Sequence, residues 1–189
     1  MNQLTHYIEL KAIPQLEMKH SDVMAYAMQT LHQLLPPYEG RIGIGFPKYQ
    51  QNRGLGWIIR LFGSQIDLEF IHFQLEPLRN YFLIQEIVKI PEETTPVRFQ
   101  RIQHKGNSAL KRAEKRMKAR GDFSDEVLDN MRLKQQQVNR YPHVFLKSAS
   151  TNQAKMLLEI KRVVCTAHQE GIFTGYGLSK EATATIPDF

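Results

Sequence analysis

At 189 residues, 42% of them hydrophobic and 10% aromatic, the chain has enough apolar material for one compact domain or two small ones, which excludes a disordered protein. No run approaches the roughly 18 apolar residues of a membrane span, and Met1-Asn2-Gln3-Leu4-Thr5 lacks the pattern of a secretory leader, so a cytoplasmic protein without membrane association is expected. The formal net charge is +6 and is unevenly distributed along the chain.

Residues 4–12 alternate in polarity and predict a strand. Ser21 and Asp22 predict a helix start, and Pro36-Pro37 stops that helix after Leu35. Met24, Ala27, Met28, Leu31, Leu34 and Leu35 form its apolar face. Strands are expected over Arg41–Phe46, Gly56–Phe62 and Tyr81–Ile90, with a short helix over Gln65–Phe73. The order β-α-β-β-α-β is that of the ferredoxin-like, or RRM-like, unit. Residues 1–90 are therefore expected to form an N-terminal ferredoxin-like domain. Pro91 to Pro96 would be a linker, and residues 97–189 a C-terminal α+β domain.

The second half opens with the most distinctive stretch. Between Arg98 and Arg120 stand nine basic residues and one acid, Glu114, a local charge of +8 that leaves −2 for the remainder. Such concentration suits a polyanion, with nucleic acid first; a solvated lysine-rich helix is the alternative. Val97 to Gln103 alternates as a strand, with Arg101 and Gln103 on one face. A helix follows, capped by Asn107 and ended by Gly121. Leu110, Ala113 and Met117 form its thin apolar seam, and Lys111, Arg112, Lys115, Arg116, Lys118 and Arg120 lie opposite. A further helix from Ser124 to about Val138, strands over Tyr141–Lys147 and Lys155–Val164, and a glycine-punctuated segment over residues 171–180 complete the chain.

Several residues have suitable chemistry. His32 lies at the edge of its helix's apolar stripe in the last turn, where an imidazole serves as a general base or as a packing residue. Ser148 and Ser150 occupy a polar turn, and Tyr176 sits between two glycines. An RNA 2′-OH attacks its own phosphate if a base removes its proton, hydroxyls hold the sugar and cations stabilise the charge. The seven histidines show no metal-ligand spacing, so metal-free chemistry without a cofactor is expected. Cys165 is single and, beside Val163 and Val164, reads as a buried structural cysteine.

Taken together, His6-Tyr7, Leu31-His32-Gln33, Arg41 to Pro47, Arg101 to Lys105 with the basic helix, Ser148 to Gln153 and Phe173 to Lys180 resemble one family over nearly the whole chain. It is the CRISPR repeat-processing endoribonuclease of type I-F (Ypest) systems. The resemblance implies metal-independent cleavage of precursor CRISPR RNA at the 3′ base of each repeat stem-loop, leaving 5′-OH and 2′,3′-cyclic phosphate ends. By position it assigns His32 to the 2′-OH proton, Ser148 to holding the ribose and Tyr176 to orienting the histidine. It makes Arg101 and Gln103 readers of the last base pairs. Lys105, the six helix cations, Ser150 and Thr151 become further RNA contacts. The expected partners are the repeat stem-loop and mature CRISPR RNA, which the protein is expected to bind as a monomer, and the other subunits of the type I-F interference complex. Lys155 stands where relatives can carry a base-stacking aromatic. A non-cleaving subunit that only caps the hairpin is the alternative.

Overall fold

The computed structural model describes residues 4–103, 107–136, 141–147 and 155–189. The first half follows the expected element order: β1 (His6–Ala12), α1 (His20–Leu34), β2 (Gly43–Gly45), β3 (Ile58–Gly63), α2 (Gln65–Gln74) and β4 (Phe82–Ile84). These strands pair antiparallel in the spatial order β2-β3-β1-β4. Alternation along β1 and β3 decides which side is core. The register Ile8↔Leu61 and Leu10↔Ile59 sets four fully buried aliphatic side chains on one face. On the other face Glu9 opposes Arg60, and the two form an ion pair at 2.8 Å.

α1 buries Val23, Met24, Ala27, Met28 and Leu31 at helical spacing. Each large side chain among them contributes about 1.5–3 kcal/mol of transfer free energy. The helix opens at His20 rather than at Ser21, and its Lys19 cap makes no side-chain bond. Asp22 still complements the dipole from the first turn. α2 has a true cap: Ser64 Oγ accepts from the Asp67 N–H at 3.1 Å and donates to the Asp67 carboxylate at 3.0 Å. That carboxylate also receives Arg41, with contacts of 3.0 and 3.1 Å. The expected Arg41–Phe46 strand shortens to β2, because turns take its ends: Arg41 N–H donates to Tyr38 O at 2.9 Å and Phe46 O accepts from Tyr49 N–H at 3.0 Å. Bonding to Arg41 holds the Asp67 carboxyl below its ordinary value.

The expected continuous strand over Tyr81–Ile90 is broken. β4 pairs Ile84 with Leu10, whereas β5 (Val88–Lys89) pairs Val88 with Tyr7. Four residue steps on one strand thus match three on β1, a one-residue bulge. The Gln85 N–H donates to Glu9 O at 2.9 Å within it.

The second half contributes β6 (Thr95–Ile102), α3 (Asn107–Arg120), α4 (Asp125–Gln136), β7 (His143–Lys147), β8 (Lys155–Val164) and β9 (Ile186–Asp188). A second sheet runs β7-β8-β6-β9. β9 has no counterpart among the predicted strands; it carries Pro187, whose missing donor is tolerated at a sheet edge. Cys165 is half-exposed rather than buried, just past the end of β8.

The chain forms two compact units, Met1–Arg101 with Tyr141–Phe189, and Ile102–Arg140. The first holds both sheets around a shared core, in which Phe99 of β6 meets Phe46 edge-on at 5.2 Å. The Gly-Ile-Gly of β2 makes this packing possible. A Cβ on Gly45 would collide with Ile186 of β9, and one on Gly43 would meet the Phe173 ring at 2.7 Å. The second unit holds α3 and α4, with Leu128 buried. Among the described residues no helix is long and apolar enough to cross a membrane.

Candidate active site and basic helix

His32 stands half-buried in the last turn of α1. Its Nδ1 lies 2.9 Å from the carbonyl oxygen of Gly175. A carbonyl only accepts, so Nδ1 carries the hydrogen, and in the neutral ring the lone pair sits on Nε2. That is the tautomer a general base requires. Tyr176 lies flat against the imidazole, with ring centroids 3.9 Å apart and planes 13° apart.

The turn presenting Tyr176 is built by local bonds and fixed at both ends. Thr174 N–H donates to Leu178 O at 2.7 Å and Gly177 N–H to Thr174 O at 2.8 Å. Gly177 takes φ +67°, a left-handed conformation that favours glycine. Its carbonyl accepts from the Ile44 N–H of β2 at 2.7 Å, and the Ser179 N–H donates to Phe99 O of β6 at 2.8 Å. Phe173 N–H donates to Gly40 O, just beyond α1, at 3.0 Å. The glycine punctuation of the sequence thus becomes a rigid turn placed over the end of α1.

Arg101, near the end of β6, continues the arrangement. Its Nη2 lies 3.6 Å from the sulfur of Met156 on β8, and the Tyr176 hydroxyl lies 4.0 Å from the same sulfur. The guanidinium carbon is 5.9 Å from the Tyr176 ring centroid. Arg101, Met156, Tyr176 and His32 therefore form one connected set. β7 ends at Lys147, whose N–H donates to Gln29 Oε1 on α1 at 2.9 Å. Ser148, Ser150 and Thr151 follow directly and lie outside the described residues, as does Lys105. Gln103 is exposed one residue beyond the end of β6. Among the described residues no group of three or more His, Cys, Asp or Glu side chains could hold a metal ion.

Met156 and Gln29 are the site residues that sequence reasoning missed. Gln29 carried a usable signal, since it stands three positions before His32 and so shares its helix face. Met156 carried none beyond its place next to Lys155.

The basic helix α3 has the expected seam. Ala113 is buried, Leu110 and Met117 are half-buried, and Lys111, Arg112, Lys115, Arg116, Lys118 and Arg120 are exposed. Asp122 N–H donates to Met117 O at 3.2 Å and Gly121 N–H to Lys118 O at 3.3 Å, with Gly121 at φ +78°. This is a Schellman ending. Lys118 is engaged within the unit, paired with Glu114 at 2.7 Å and held 4.8 Å from the Phe123 ring centroid. All six cations are exposed along one helix.

Residues 7–189 match the family described as CRISPR-associated protein (Cas_Csy4). The chain is 32% identical over 186 residues to the CRISPR-associated endonuclease Cas6/Csy4 of Pseudomonas aeruginosa (strain UCBPP-PA14), spanning 94% of this chain and 96% of that protein. It is 28% identical over 190 residues to the protein of the same description from Escherichia coli (strain UTI89 / UPEC), spanning 98% and 100%.

Proposed function

The chain belongs to the CRISPR-associated Cas_Csy4 family, and from that premise we propose that it is a metal-independent endoribonuclease maturing precursor CRISPR RNA in a type I-F system. It recognises the repeat stem-loop and cuts at its 3′ base. The 2′-OH upstream of the scissile bond attacks the adjacent phosphorus. A P–O2′ bond forms and the P–O5′ bond breaks, leaving a 2′,3′-cyclic phosphate and a 5′-OH. The 2′-OH proton passes to Nε2 of His32, and the departing 5′ oxygen takes up a proton.

One observation carries this reading: the bond from His32 Nδ1 to Gly175 O, which leaves Nε2 as the base. The stacked Tyr176 ring restrains the imidazole against rotation. Ser148 is assigned to the ribose and its 2′-OH. Arg101 and Gln103 read the last base pairs from the open lower end of the stem, since the A-form major groove is otherwise too narrow for side chains. A bidentate arginine–guanine pair discriminates by about 1–3 kcal/mol. Lys105, Ser150, Thr151 and the cations of α3 grip the backbone.

In this reading residues 1–90 are the ferredoxin-like (RRM-like) part bearing the histidine, joined through residues 91–96 to an RNA-binding part over residues 97–189. The protein acts as a cytoplasmic monomer on RNA and stays on its product as a subunit of the interference complex.

The test is single-turnover cleavage of a repeat hairpin in EDTA. The wild-type protein should cut, and His32→Ala should bind the hairpin without cutting it. Uncut RNA with wild-type protein would overturn the assignment in favour of a subunit that only caps the hairpin.

A further inference from the structure

β8 turns one row of alternating side chains toward the core: Met156, Leu158 and Ile160, of which the last two are fully buried. Met156 pairs across the strands with the buried Leu146 of β7 and is itself half-buried, at the end of the row that reaches the site. Leucine would fill such a position with the same volume. What methionine adds is a polarisable sulfur that accepts weak hydrogen bonds. Two donors meet on that atom. Nη2 of Arg101, from β6, stands 3.6 Å away, and the Tyr176 hydroxyl stands 4.0 Å away. The Tyr176 ring in turn lies against His32, and the Arg101 guanidinium carbon is 5.9 Å from the same ring. The thioether is thus a joint between the arginine and the stack that holds the histidine.

We infer that Met156 is a positioning residue for base-pair recognition: its sulfur holds the Arg101 guanidinium at a set place beside the Tyr176–His32 stack. The pair being read and the base that cuts then keep a fixed separation. This rests on the part of the proposed function in which Arg101 reads a base pair at the foot of the stem. An arginine gives up rotamer freedom when it seats a base, and one already held in place gives up less. Bidentate pairing also needs the guanidinium fork presented in the plane of the base. Loss of the sulfur should therefore weaken binding of the correct hairpin. A hairpin with the wrong pair, which Arg101 does not engage in either protein, should bind as before. Discrimination falls, whereas the general grip on RNA does not.

The experiment measures Kd for a repeat hairpin carrying a 2′-deoxyribose at the cleavage position, and for a second hairpin whose lowest base pairs are reversed. The ratio of the two is the discrimination. Wild-type, Met156→Leu and Met156→Gln proteins are compared, each with and without Arg101→Ala. Met156→Leu keeps the apolar volume and removes the acceptor; Met156→Gln keeps the unbranched length and places an amide oxygen at similar reach. Met156→Leu should lower the ratio roughly 2- to 10-fold, through the correct hairpin alone. Met156→Gln should recover most of it. With Arg101→Ala in place, Met156→Leu should change neither Kd. An unchanged ratio in Met156→Leu, equal weakening of both hairpins, a Met156→Gln protein no better than Met156→Leu, or the same loss without Arg101 would overturn the inference and leave the proposed function standing. A wild-type ratio in Arg101→Ala would overturn the base-reading role and the inference with it. Failure of the wild-type protein to cut an ordinary repeat would overturn the proposed cleavage alone, because every quantity here is read from binding.

Discussion

The imidazole of His32 and the phenol ring of Tyr176 lie face to face, 3.9 Å between centroids and 13° from parallel. The hydroxyl of Tyr176 points elsewhere, toward the Met156 sulfur at 4.0 Å. The bond that fixes the histidine's tautomer comes instead from the neighbouring residue, through the Gly175 carbonyl at 2.9 Å. Two adjacent residues of one turn thus divide the work: a backbone carbonyl sets the protonation pattern of the ring, and an aromatic face sets its orientation.

That division predicts the behaviour of two Tyr176 variants. Tyr176→Phe keeps the stacked face and should cut within about threefold of the wild-type rate, since a sulfur contact is weak. Tyr176→Ala removes the face; stacked aromatic pairs are worth about 0.5–1.5 kcal/mol, so the rate should fall up to about tenfold. Single-turnover cleavage at saturating protein reads both. Equal loss in the two variants would transfer the role from ring to hydroxyl.

The cations of α3 should act on binding and not on chemistry. Lys111 and Lys115 are exposed on adjacent turns of the helix. Replacing both by alanine should raise the hairpin Kd and reduce the slope of log K against log salt by about 1 for each phosphate contact removed. Cleavage should return to the wild-type rate once protein saturates the RNA. A rate at saturation as low as that of His32→Ala would show that these lysines enter the chemical step.

Much of this arrangement was legible in the sequence where local patterning decides structure. The seam of Leu110, Ala113 and Met117 lies as helical spacing predicts, and Gly121 ends α3 as a C′ glycine should. The buried stripe of α1 was likewise readable from period, except that Val23 joins it unexpectedly and Leu34 is only half-buried. Non-local pairing was harder to read. β9 depends on β6 for its existence, through Val97↔Ile186, and carries a proline that local rules treat as a breaker. The bulge between β4 and β5 depends on the register of β1. At the site, the residue types of His32 and Tyr176 suggested chemistry, but their contact joins positions 144 residues apart and only the fold brings them together. Gln29 and Met156 look like ordinary polar and apolar positions until their partners are known.

Acid stability should report the Arg41–Asp67 pair. Hydrogen bonding from Arg41, with a smaller contribution from Ser64, lowers the Asp67 pKa from its ordinary 3.8 against the opposing effect of burial. A carboxyl depressed on folding stabilises the protein above its unfolded-state value, and that stabilisation is lost as pH falls through the folded-state value. Wild-type Tm should therefore drop on acidification below about pH 4 by more than the Tm of Asp67→Asn, which starts lower at pH 7. The Arg41 side chain is 40% exposed, so solvent screening keeps the difference small. Parallel Tm–pH curves for the two proteins would show that the pair contributes nothing.

Two glycine substitutions separate backbone strain from damage to the site. Gly121 and Gly177 both have positive φ, +78° and +67°. A Cβ on Gly121 meets nothing within 4 Å, whereas one on Gly177 collides with Ile44 of β2. Gly121→Ala should cost only the left-handed backbone penalty, about 1–2 kcal/mol, and leave the saturated cleavage rate unchanged. Gly177→Ala adds the collision, for a total of about 2–5 kcal/mol. It also pushes the turn off β2, carrying the Gly175 carbonyl and the Tyr176 ring away from His32. Its cleavage rate should therefore fall well below wild type even at temperatures where circular dichroism shows the protein folded. A folded Gly177→Ala protein cutting at full speed would mean that the turn does not need its anchor on Ile44 to hold the histidine.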